Sequence, residues 1–92
     1  MSLLHSHLFK PETVKAIEAA GLPAEQVADR WAGGWPRQAK ALERAGKLVP
    51  AVLETAKREA ETYSQARQEG NTHLADHEIA QLYGLSPEPP PA

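Results

Sequence analysis

Prolines and glycines alternate along this chain at a spacing that leaves few folds open. Pro11 is followed by Gly21, Pro23 by Gly33, Pro36 by Gly46 and Pro50 by Gly70. Proline holds φ at about −65° and has no N–H, so it suits the first turn of a helix, where that N–H would have no partner. Glycine takes the left-handed conformation that ends many helices. The intervals between them are filled with Ala, Glu, Lys, Arg and Gln, all strong helix formers. This punctuation predicts helices at about 11–20, 23–32, 36–45 and 50–69, and a fifth at about 73–83 that closes at Gly84. No segment sustains the period-two alternation of a strand, so no sheet is expected.

The predicted architecture is all-α: a small bundle of four to five helices over residues 1–85, followed by a tail at 86–92. The tail reads Ser86-Pro87-Glu88-Pro89-Pro90-Pro91-Ala92, which cannot be helical and is expected to be disordered or polyproline II. A chain of 92 residues makes one domain. Its hydrophobic fraction of 41% includes sixteen alanines, so the core rests on few large side chains. That argues against a multi-layer enzyme fold and makes a homodimer an alternative to a monomer. The absence of cysteine excludes disulfides, thiolate metal sites and a thiol nucleophile. A net charge of −2 exerts no global pull towards nucleic acid or membrane. The opening residues Met1–Phe9 contain two histidines and neither a basic n-region nor a long apolar run, so no export signal is expected and the setting is read as cytoplasmic. No apolar run approaches the ~20 residues of a membrane-spanning helix.

Local details refine the helices. With proline as the first helical residue, Phe9 and Val14 occupy the paired positions of a hydrophobic staple, as do Leu48 and Leu53. The long helix carries Leu53, Ala56, Ala60, Tyr63 and Arg67 at three- and four-residue steps, a seam expected to meet another helix within the monomer or across a dimer. The segments Pro11–Gly21 and Pro36–Gly46 share six of eleven positions, a likeness attributed to common helix composition, because two copies are too few for a solenoid.

Basic residues concentrate in one place. Residues 30–48 hold Arg30, Arg37, Lys40, Arg44 and Lys47 against a single carboxylate, Glu43. At 100° per residue, Arg37, Lys40, Arg44 and Lys47 fall within about 80° of one helix face, with Ala39, Leu42 and Ala45 on the other side. Such a stripe suits phosphates or an acidic protein surface; the plainer reading is a solvated face. Trp31 and Trp35 flank it, and Trp beside Arg is a frequent interface anchor, although a chain this short of large apolars also needs both in its core.

Two further patterns carry weaker implications. His73-Leu74-Ala75-Asp76-His77 resembles the H-x-x-E-H metalloprotease motif, with Asp in place of the Glu that serves as base. On one continuous helix, His73 and His77 would share a face and supply two metal ligands. Asp76 is a good N-cap, however, and if it caps the helix His73 lies outside it and no metal site forms. His5 and His7 would complete a four-histidine set only by a coincidence of folding. Residues 76–86 resemble the first helix and turn of a helix-turn-helix motif, but the reading helix is cut off by Pro87 and Pro89-Pro90-Pro91.

The sequence therefore predicts a non-enzymatic binding module without cofactor or metal. It would engage a macromolecular partner, first of all a protein, through Arg30, Trp31, Trp35, Arg37, Lys40, Arg44 and Lys47. Nucleic-acid binding through the basic stripe is the alternative, and a metal-dependent activity of His73 and His77 comes third.

Overall fold

The computed structural model of the chain describes residues 6–70 and 73–91. A single 3-10 turn, Ser6–Leu8, leads into five helices: α1 (Pro11–Ala20), α2 (Leu22–Gly34), α3 (Pro36–Arg44), α4 (Leu48–Gln68) and α5 (Asp76–Leu82). No strand occurs among the described residues. Helix α2 is the centre, packed against α1, α3 and α4, while α1 and α3 also reach α4 and α5 rests on α4.

Gly21 alone joins α1 to α2. Its φ of 104° with ψ of −179° lies where side chains are strained, so the corner depends on glycine. Gly33 does not end α2 as the punctuation predicted. The helix runs on through Gly34, and the Trp35 N–H still donates to the Trp31 carbonyl at 2.7 Å. Pro36 sets the break, because the residue before a proline is pushed out of the helical region; Trp35 sits at φ −136° and ψ 61°. Helix α4 likewise starts two residues ahead of its proline. Pro50 is tolerated there because none of the first-turn N–H groups has an intrahelical partner. Leu48 and Val52, both buried, draw the extra residues into the helix.

One cluster holds most of the core, with Ala66 and Ile79 buried outside it. Trp31, Ile17, Leu42, Leu48 and Val52 are its largest fully buried side chains. Ala24, Ala28 and Ala32 recur at four-residue steps along α2 and are all buried, which lets neighbouring helices approach closely. Phe9 and Val14 both join this cluster, as a staple requires. The second expected staple is absent: Leu48 is buried but Leu53 is 41% exposed. The repeated segments occupy equivalent surroundings, since the aligned Ile17 and Leu42 are fully buried and the aligned Gly21 and Gly46 both have positive φ.

The seam expected on α4 is displaced. Leu53 and Ala60 are exposed, Ala56 and Tyr63 are half-buried, and the buried positions are Leu48, Val52 and Ala66. One residue of offset turns a helix by ~100°, so the true face lies a quarter-turn away.

Helix α5 is shorter than expected. It begins at Asp76, with Ala75 rather than Asp76 in the capping position. Glu78 reaches back so that its Oε1 accepts the Ala75 N–H at 2.9 Å. The helix ends at Leu82, and just beyond it Gly84, with a φ of 74°, lets the Leu85 N–H donate to the Ala80 carbonyl at 2.8 Å. Residues 85–91 form neither helix nor strand, as proline dictates, yet the segment is not free of contact: Pro89 is buried.

Candidate functional site

The seven residues singled out for partner binding do not behave alike. Trp31 is fully buried in the last turn of α2, so it belongs to the core and is withdrawn from the surface. Trp35, at the junction of α2 and α3, is half-buried.

Two of the five cations are engaged internally. Arg30 projects from α2 to Glu59 on α4 and donates to it twice, Nη2 to Oε2 at 2.7 Å and Nη1 to Oε1 at 3.2 Å. Lys40 donates from Nζ to the Leu8 carbonyl at 2.8 Å and lies 3.6 Å from Glu43. The Glu43 carboxylate, 5% exposed, also accepts the Lys10 backbone N–H at 2.7 Å. Lys40 and Glu43 thus form a clamp on the segment that leads into α1. The buried Glu43 is what a count of charges along the sequence could not separate from a surface carboxylate.

Arg37, Arg44 and Lys47 remain. All three are exposed, and none has an ion pair or side-chain hydrogen bond among the described residues. Arg37 and Arg44 line a shallow depression with Pro36, Lys40 and Leu8, next to Trp35 at the start of the same helix. The turn at Gly46, closed by the Lys47 N–H on the Leu42 carbonyl at 2.9 Å, carries Lys47 just past the end of α3. The face is therefore cationic, and among the described residues nothing pairs with the side chains of Arg37, Arg44 and Lys47.

A second concavity was not visible in the sequence. A cleft of about 400 Å³ lies between α2, α4, α5 and the chain after α5, and its polar lining includes Arg30, Glu59, Tyr63, His77 and Gln81. The Arg30–Glu59 pair occupies its charged groups. His73 lies outside α5 and His77 within it, so the shared helical face that two metal ligands need is missing. Among the described residues no three His, Asp or Glu side chains are grouped to hold a metal ion. His5 lies outside the described residues. No helix of the described chain is long and apolar enough to cross a membrane.

No family model matches the chain, and no curated protein or solved structure is significantly similar to it.

Proposed function

We propose that this protein is a non-enzymatic, cytoplasmic binding module whose α3 face engages an acidic surface on a protein partner. The observation that carries the reading is the contrast among its cations. Arg30 and Lys40 are satisfied by Glu59, Glu43 and the Leu8 carbonyl, whereas Arg37, Arg44 and Lys47 stand exposed without a partner among the described residues. Unpaired charge on one face favours encounter with opposite charge and fixes orientation, while a half-buried aromatic such as Trp35 supplies an anchor to desolvate.

A protein is favoured over nucleic acid by charge and by number. The chain carries −2 overall, and three free cations offer few phosphate contacts. The two readings separate by salt and by residue. Chemical cross-linking in extract from the native host, followed by titration of the recovered partner, should show binding lost on Trp35→Ala and weakened at least tenfold by Arg37→Glu with Arg44→Glu. Random-sequence DNA should bind no better than to an uncharged control. Binding to DNA with a log-log salt slope of about −3 that is indifferent to Trp35→Ala would instead assign the face to phosphates.

A further inference from the structure

The cations of α3 do not act as isolated surface charges. Arg37, Lys40 and Arg44 line one depression, together with Leu8 and Pro36. At 100° per residue the three fall within about 60° of one another around the helix. Arg37 and Arg44, seven residues apart, are separated by ~10.5 Å along its axis, with Lys40 between them. Two arginine side chains can converge across that distance on one group.

The centre of this arrangement is held in place and its ends are not. Lys40 Nζ donates to the Leu8 carbonyl at 2.8 Å and lies 3.6 Å from the Glu43 carboxylate. An ammonium has three N–H donors, so this anchoring leaves capacity for a further acceptor. Glu43, with its side chain only 5% exposed, offsets the charge of Lys40. Arg37 and Arg44 are exposed and have no partner among the described residues. The depression therefore carries a surplus of two positive charges, both on guanidiniums.

A surplus of that size and kind selects among anions. One guanidinium fork already engages both oxygens of a carboxylate, so a second fork on the same group adds little. A phosphate monoester carries about −1.5 to −2 charge at pH 7 and three strong acceptor oxygens. It can accept from two guanidiniums and an ammonium together, and its charge matches the surplus. Clustered arginines are a recurring means of recognising phosphorylated segments.

We propose that the depression on α3 binds a phosphorylated side chain, a phosphoserine or phosphothreonine, on the protein partner. This inference rests on the reading of the α3 face given above and narrows the acidic surface to a single dianion. Arg37 and Arg44 bracket the phosphoryl group, Lys40 donates to it between them, and Leu8 and Pro36 meet the apolar residues beside it.

The test uses the full chain and fluorescein-labelled peptides Ala-Leu-X-Leu-Ala, in which X is phosphoserine, serine or aspartate. By fluorescence anisotropy the phosphoserine peptide should bind at least tenfold more tightly than the aspartate peptide, and the serine peptide should not bind. Arg37→Lys and Arg44→Lys keep the charge but lose the fork, and each should weaken the phosphoserine peptide at least threefold. Arg37→Ala with Arg44→Ala should abolish its binding, whereas Lys47→Ala, outside the depression, should change it less than twofold. Equal binding of the phosphoserine and aspartate peptides would overturn the inference and leave the acidic-surface reading standing. So would failure of all three peptides while Arg37→Glu with Arg44→Glu still releases the cross-linked partner. Displacement of the phosphoserine peptide by an equal concentration of inorganic phosphate would assign the depression to a free anion instead. Tighter binding of random-sequence DNA than of that peptide would assign it to nucleic acid. If the same glutamate pair released no partner at all, the α3 reading itself would fall.

Discussion

Arg30 and Glu59 lie 29 positions apart in sequence and meet through two hydrogen bonds, of 2.7 and 3.2 Å, across the junction of α2 and α4. The fork of the guanidinium matches the carboxylate, and the glutamate side chain is only 13% exposed. The pair ties α2 to α4 and lines the polar cleft.

Breaking that pair from either side should destabilise the fold. Arg30→Ala leaves a mostly buried carboxylate without its partner and is expected to cost ~1–3 kcal/mol. The double variant with Glu59→Ala should cost less than the sum of the single ones, because the second change removes the group that the first orphaned. Chemical denaturation of the four proteins measures the coupling directly.

The displaced seam makes a clear comparison within one helix. Leu48→Ala empties a fully buried position and should cost ~2–5 kcal/mol, whereas Leu53→Ala, at an exposed one, should stay within about 0.5 kcal/mol. Equal losses for the two would restore the seam containing Leu53.

Tryptophan fluorescence separates the two indoles. Trp35→Phe leaves only Trp31, whose emission should be shielded from acrylamide until the protein unfolds. Trp31→Phe leaves Trp35, which should be quenched in the native state. The reverse order would contradict the burial of Trp31 and the exposure that the binding face requires.

The corner at Gly21 should resist even the smallest substitution. Space is not the obstacle, since an added Cβ would approach nothing closer than the Pro23 Cδ at 3.9 Å. The backbone is: its φ of 104° suits glycine, so Gly21→Ala should lower stability by ~1–3 kcal/mol in thermal melts.

Much of the fold was legible because proline and glycine act locally. Pro11, Pro36, Gly46, Gly70 and Gly84 marked helix ends by φ preference alone, which needs no knowledge of neighbours. Gly33 misled because glycine permits a helix to end without forcing it, and Pro36 three residues later was the stronger constraint. The face of α4 was not legible. Val52 and Leu53 are adjacent and both apolar, and alanines at 51, 56, 60 and 66 mark several faces, so the choice among them rests on tertiary packing, which buries Leu48 and Val52 against the other helices.

The basic stripe shows the same division. Its arc on α3 followed from helical geometry, but which cations were already satisfied depended on Glu59 and on the Leu8 carbonyl, distant in sequence from the residues they bind. Trp31 and Trp35 are four apart and chemically identical. Trp31, inside α2, is fully buried, whereas Trp35, at the break that Pro36 makes, is half-buried.

The alanine stripe of α2 has a consequence for how this protein can vary. Ala24, Ala28 and Ala32 are buried on a helix that touches three others. A methyl group added at any of them presses on more than one neighbour, and interiors packed to this density do not yield locally. In a library of all single substitutions, these chemically plain positions should rank among the least permissive in the chain, below the charged residues of α3. The inventory of tolerated sequences would then be narrowest where side chains are smallest.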